Sequence, residues 1–249
     1  MDSKTVLITG AGRGIGAATA LLCAEQGYDL ALNYARDEAS ALALAEQIRA
    51  LGRRALLVQA DVSQEAEVLR IFATIDAELG PLTALVNNAG IVAPGARLDQ
   101  MTAERMRRVF EVNVLGSFLC AREAVRRMSR SNGGTGGAIV NVSSRAAQLG
   151  SPGVYVDYAA SKGAIDTFTI GLAREVAGEG IRVNGVRPGI IDTEIHAGGG
   201  LGAQLNSVVA GLPMARMGTA QEIAQAIVWL LSDAASYTTG ALLDVSGGR

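Results

Sequence analysis

The strongest constraint on how this chain folds is a regular alternation between short apolar runs and stretches of helical length with 3.6-residue periodicity. Thr5–Thr9, Asp29–Asn33, Ala55–Gln59, Leu82–Val86, Ala138–Val142, Ile181–Val186 and Ala241–Val245 read as strands. Helical patterns fall at Ile15–Gln26, Glu38–Leu51, Gln64–Leu79, Ala103–Arg130, Val156–Ala177 and Ala220–Leu231. Short apolar strands separated by such helices are buried on both faces of a parallel sheet. Right-handed crossovers then predict an α/β, doubly wound parallel sheet of about seven strands, with helices on both faces. No linker or repeat divides the sequence, so one domain is expected over residues 1–249. The irregular stretch Asp192–Leu212, containing Gly198-Gly199-Gly200 and Gly202, reads as a substrate lid.

The first strand ends in Thr-Gly-Ala-Gly-Arg-Gly-Ile-Gly, Thr9 to Gly16, and a helix follows at once. Glycines permit a sharp turn and close backbone approach, and a helix amino terminus offers N–H groups and a positive dipole end to a pyrophosphate. At this place in an α/β chain the pattern marks a Rossmann-type dinucleotide site. Two registers are open: Gly12, Gly14 and Ala17 as GxGxxA, or Gly10, Gly14 and Gly16 as GxxxGxG. An acidic residue after the second strand would suit NAD(H) by binding ribose hydroxyls. Here the junction reads Asn33-Tyr34-Ala35-Arg36, with no carboxylate before Asp37, and Arg13 sits in the glycine turn. Two arginines suit a 2′-phosphate, so NADP(H) is favoured, with NAD(H) possible.

Tyr158 and Lys162 stand four residues apart in Tyr-Ala-Ala-Ser-Lys. On a helix this puts both side chains on one face. An unperturbed phenol loses its proton near pH ~10, and a neighbouring cation lowers that value. Tyr158 is therefore expected to act as a general acid or base near neutral pH.

These motifs occur in one order: Thr9-Gly10-x-x-x-Gly14-Ile15-Gly16, Asp61-Val62, Asn87-Asn88-Ala89-Gly90, Asn113 in Val-Asn-Val-Leu-Gly, Ser144, Tyr158-x-x-x-Lys162, and Pro188-Gly189 before Thr193. Over essentially its whole length the sequence resembles the short-chain dehydrogenase/reductase family, on its 3-oxoacyl-reductase-like and sugar-dehydrogenase-like side. The resemblance implies Tyr158 as acid/base and Lys162 as the group that lowers its pKa and bonds the nicotinamide ribose. Ser144 would polarise the substrate carbonyl, and Asn113 would hold a water linking Lys162 to solvent. Asp61 and Val62 would bind adenine, and Asn88, Ala89 and Gly90 would pass along the adenosine ribose. Pro188 and Gly189 belong to the cofactor motif, while Ile191 and Thr193 would contact the carboxamide. Tyr155 precedes Ala159 by four residues and lacks the lysine partner. Ser144 and Tyr158 are spaced one residue wider than is usual, which is assigned to the turn Ser151-Pro152-Gly153.

Twenty-two basic against 24 acidic residues give a net charge of −2, which offers no field for nucleic acid or a membrane surface. Aromatics make up 4% of residues, too few for a base-stacking surface. Cys23 and Cys120 are not in a CxxC pair and read as buried thiols in a reducing, cytoplasmic setting. No secretory leader, membrane-length apolar run or metal cluster is expected. The expected partner is a small carbonyl or alcohol substrate, met by Ala93–Ala96, Gln148–Tyr155 and the lid. His196, the single histidine, reads as solvated. By the same resemblance Glu179 stands where carrier-protein reductases place a docking arginine, which argues against an acyl-carrier substrate, although Arg130 would still supply part of a docking site. The resemblance implies a homotetramer or homodimer pairing Ala103–Arg130 and Val156–Ala177. Phe110, Val114, Phe118, Phe168 and Leu172 face either core or partner, with core favoured for any single one at helical spacing, and the tail Val245–Arg249 offers a second interface. The alternative to an enzyme is an NADP-binding sensor with little activity, against which the complete Asn113, Ser144, Tyr158 and Lys162 set argues.

Overall fold

In the computed structural model, which describes residues 4–192 and 209–249, strands and helices alternate from the start. β1 (Lys4–Ile8) leads into α1 (Gly14–Glu25), β2 (Tyr28–Tyr34), α2 (Glu38–Ala50), β3 (Ala55–Gln59), α3 (Glu65–Glu78) and β4 (Ala84–Asn87). Next come α4 (Ala103–Phe110), a π-helical turn at Glu111–Leu115, and α5 (Gly116–Met128). β5 (Gly137–Val142), the single turn α6 (Ala146–Leu149), α7 (Val156–Val176) and β6 (Ile181–Pro188) follow. Two-residue strands β7 (Ile191–Asp192) and β8 (Gly218–Thr219), then α8 (Ala220–Leu231) and β9 (Leu242–Val245), complete the described chain.

Seven strands form a parallel sheet in the order β3-β2-β1-β4-β5-β6-β9. Strand periodicity sends alternate side chains to opposite faces. Val6 and Ile8 pack with Leu30, Leu32, Cys23, Ile48, Ile223 and Ile227 under α1, α2 and α8. Leu7 faces the other way, joining Leu85, Ile139, Phe72, Ile75, Cys120 and Met128 under α3, α5 and α7. Burying each such side chain stabilises the fold by about 1.5–3 kcal/mol. The strand order reverses between β1 and β4, which opens a crevice at the carboxyl ends of these parallel strands.

The expected long helix Ala103–Arg130 is interrupted by the π turn around Asn113. Asn113 Oδ1 accepts from the Ile91 N–H at 2.8 Å and its Nδ2 donates to the Ile91 carbonyl at 3.0 Å, so the helix locally serves the β4 loop. Ser117 Oγ donates to the Asn113 carbonyl at 3.1 Å, occupying an acceptor in the widened turn. The expectation that Phe110 and Phe118 are core is corrected: they are 40% and 43% exposed, and Phe118 stacks on half-buried Phe168. Val114 and Leu172 are half-buried. α6 and the β7–β8 pair were not anticipated, because elements of two to four residues carry no periodicity. Most of the expected lid, with Thr193, Glu194, His196 and the Gly198–Gly202 glycines, lies outside the described residues. No helix among the described residues is long and apolar enough to cross a membrane.

Candidate active site

Backbone geometry decides between the two glycine registers. Gly10 and Gly14 take φ of +61° and +55°, the left-handed region that favours glycine. A Cβ on Gly16 would lie 2.5 Å from the Gly10 carbonyl oxygen, whereas one on Gly12 would meet nothing nearer than 3.8 Å. The turn thus requires Gly10, Gly14 and Gly16. No side-chain hydrogen bond caps the amino end of α1, so its N–H groups and dipole are available to an anion. Ile15 lines the neighbouring cavity.

Two of the expected cofactor residues hold this turn in place with their side chains. Buried Asn33 accepts from the Gly10 N–H at 3.3 Å and donates to the Val58 and Ala60 carbonyls at 3.2 and 3.0 Å. Asn88 donates to the Thr9 and Gly10 carbonyls, each at 2.9 Å. Thr9 Oγ1 in turn accepts from the Asn88 and Ala89 N–H groups at 3.0 Å. The amides of Asn33 and Asn88 therefore shape the cradle from behind.

Ala35, Arg36 and Arg13 are exposed at the far lip, and Tyr34 is buried with its hydroxyl 3.4 Å from Glu38. Asp37 caps α2, accepting from Ser40 N–H at 3.1 Å and Ser40 Oγ at 2.7 Å. Those bonds, with the Arg13 charge, hold its carboxyl below the usual range. Partial burial raises the Asp61 carboxyl, yet bonds from Ser63 and from Arg108 at 2.7 Å bring it below its ordinary value. Val62 is buried against Gly116.

The four expected catalytic residues converge. Ser144 is hydrogen-bonded to the Tyr158 side chain, and both line a cavity of about 350 Å³ with Lys162. Lys162 Nζ donates to the Val142 carbonyl at 2.8 Å and lies 5.7 Å from the Tyr158 ring centre. A Cβ on Gly90 would sit 3.5 Å from both Lys162 Nζ and Asn113 Oδ1, which places these two groups around one glycine. Asn113 Nδ2 also donates to Ser161 Oγ at 3.1 Å, so the side chain is held by bonds at both ends.

The expected lowering of the Tyr158 pKa is corrected. Burial pushes the phenol above its ordinary value, and the Ser144 hydrogen bond opposes this. Burial also draws the Lys162 ammonium down to about 8, with the Asp166 charge opposing. Desolvation outweighs the mutual attraction assumed from the spacing. In the protein alone Tyr158 keeps its proton at neutral pH.

Apolar Val92, Leu149, Val154 and Ile190 form much of the cavity wall. The two expected substrate segments meet there, with the Ala96 N–H donating to the Val154 carbonyl at 3.0 Å. Pro188, Gly189 and Ile191 line the opposite side. Arg249, at the end of the tail, also reaches the lining. One functional neighbour was not anticipated: Arg105 binds Asp157 through Nε at 2.8 Å and Nη2 at 3.2 Å. Asp157 in turn accepts from the Tyr158 N–H at 2.9 Å, which fixes the first turn of α7. These residues are 52 positions apart, and no local pattern connects them. Among the described residues, no group of three or more His, Cys, Asp or Glu is placed to hold a metal.

A family model described as enoyl-(acyl carrier protein) reductase matches residues 10–249. The uncharacterized oxidoreductase YgfF of Escherichia coli (strain K12) is 56% identical over 243 residues, covering 98% of each chain. The chain belongs to the short-chain dehydrogenase/reductase family. With relatives named as dehydrogenases of hydroxyl compounds, it is an oxidoreductase of this family acting on CH–OH groups. Cis-4-hydroxycyclohexanecarboxylate dehydrogenase of Sinomonas cyclohexanicum is 40% identical over 246 residues, covering 98% of this chain and 96% of that protein. Among solved structures, a blue fluorescent protein from a metagenomic library in complex with NADPH superposes with a TM-score of 0.90. It is 34% identical, and the match covers 98% of this chain and 97% of that one.

Proposed function

We propose that this protein is an NADP(H)-dependent oxidoreductase that interconverts a carbonyl compound and a secondary alcohol, with Tyr158 as acid and base. The observation that carries this reading is the Ser144–Tyr158 hydrogen bond on the cavity wall beside Lys162. When bound, the nicotinamide supplies or accepts the hydride. Ser144 donates to the substrate oxygen, and Tyr158 gives that oxygen a proton in reduction and removes it in oxidation. A phenol that keeps its proton suits the reductive direction. Lys162 supports the phenol electrostatically and, with Asn113, lies on the path by which the proton is replaced.

The glycine cradle fits a pyrophosphate, since side chains would fill Gly10 and Gly16 and none caps α1. Asp61 and Val62 serve the adenine, and Ile191 and Thr193 the carboxamide. Engagement of Asp37 by Ser40, beside exposed Arg13 and Arg36, supports NADP(H) over NAD(H). The mostly apolar wall supports a small or cyclic carbonyl compound. Glu179 accepts a bond from Ser129, directly beside Gly180, over which Arg130 packs, and this argues against docking of an acidic carrier. The exposed α5 face supports a homotetramer.

The test is a panel of ketones, aldehydes, sugars, acyl thioesters and 4-oxocyclohexanecarboxylate, followed by NADPH absorbance. With any accepted substrate, Tyr158→Phe is expected to lower turnover by about 10²-fold or more while NADPH binding persists. Activity that survives this change overturns the assignment of Tyr158.

A further inference from the structure

One turn beyond Lys162 on α7, Asp166 is buried and accepts from Arg187 Nε at 2.9 Å, with the two side chains 11% and 12% exposed. Arg187 in β6 is the direct register partner of Asp244 in β9, and its Nη1 lies 3.5 Å from that carboxylate. Asp244 also accepts from Arg145 at 2.8 Å, and Arg145 lines the cavity immediately after Ser144. Four alternating charges thus run from the cavity wall, beneath the sheet edge, to the helix that carries Lys162. Asp166 Oδ1 is buried with no hydrogen-bond partner among the described residues, so that side of the carboxylate is not quenched. Helical spacing places Lys162 on the same face as Asp166. Among the described residues, Lys162 also has beside it Tyr158, which stays protonated, and the neutral amide of Asn113. Buried ion pairs rarely repay their desolvation in stability alone, so this one invites a functional account.

We propose that Asp166 and Arg187 are positioning residues that set the charge state of Lys162. Asp166 stabilises the ammonium, and Arg187, held in register by Asp244, limits how strongly it does so. The functional importance of this setting rests on the reading of Lys162 given above; the coupling itself does not. The chain has two lysines, Lys4 and Lys162, so the coupling can be measured without a substrate.

In full-length protein labelled with ¹³C-lysine and carrying Lys4→Arg, a single lysine signal reports the titration midpoint of Lys162. Asp166→Asn leaves Arg187 facing the ammonium and is expected to lower the midpoint by about one pH unit or more. Arg187→Met leaves the carboxylate unopposed and is expected to raise it. The double variant removes both charges, and its midpoint is expected between wild type and Asp166→Asn. A midpoint unmoved by Asp166→Asn, or both single variants moving it the same way, overturns the proposal. If a single variant does not fold, the double variant decides: a midpoint below wild type supports the coupling, and one at or above it overturns it. Ordered midpoints together with an active Tyr158→Phe enzyme would remove the catalytic reading and leave this inference standing.

Discussion

Lys162 carries its charge at neutral pH against the preference of its surroundings. Its ordinary value of 10.5 falls to about 8 in the folded protein. Between those values the unfolded chain binds more protons than the folded one, so stability rises with pH across that window. Below it the penalty is constant, on the order of 3 kcal/mol. Lys162→Met is therefore expected to melt at a higher temperature than wild type at pH 7 in the absence of cofactor, and the gain should shrink at pH 10. Thermal melts at both pH values check this, and an identical difference at each would contradict it. At the other end of the cleft, NADPH is expected to bind more tightly than NADH by fluorescence titration. Replacing Arg13 and Arg36 together by serine should weaken NADPH by about tenfold or more and leave NADH nearly unchanged. Equal losses for the two cofactors would remove the phosphate-recognition argument. At this scale the sequence was informative where spacing is local: Tyr158 and Lys162 share a helical face and converge with Ser144. It misjudged the proton affinity of Tyr158, because desolvation depends on everything packed around a group, not on the nearest residue along the chain.

Among the elements, β3 and α8 have the very boundaries that hydrophobic periodicity predicted. The interruption at Glu111–Leu115 was hidden, because one extra residue in a turn barely disturbs the periodic pattern. Pairings between distant elements were also illegible. Arg105 on α4 grips Asp157 at the start of α7, with side chains 14% and 2% exposed. Partial burial raises the Asp157 carboxyl, but the Arg105 bonds hold it below its ordinary range. Arg105→Ala would strand a buried carboxylate, and a loss of about 3 kcal/mol in denaturant-derived stability is expected. A second expected signature is its pH dependence: part of that loss should be recovered in acid, where Asp157 of the variant accepts a proton. A variant with unaltered stability would show that the clamp contributes nothing to holding the turn that bears Tyr158.

For the molecule as a whole, the strand order is given by the structure, whereas the parallel sheet of seven strands with helices on both faces follows from the alternation of elements and the handedness of crossovers, both readable in advance. Surface placement was not, since an apolar residue at helical spacing serves core and partner equally well. Phe110, Leu115 and Phe118 remain exposed around the π turn and α5, and they support the proposed tetramer. Leu115→Glu with Phe118→Glu is expected to convert the tetramer to smaller species in light scattering while circular dichroism stays unchanged. A wild-type chain that is monomeric in light scattering would exclude that assembly. The polar fastening beneath the glycine turn has a consequence of its own. Asn33 ties Gly10 to β3, and Thr9 and Asn88 tie the same turn to the loop after β4. These bonds join three strands to one loop through the protein's own polar groups. A dinucleotide would meet a mould already set, so little chain entropy is lost on docking and affinity is governed by fit and charge.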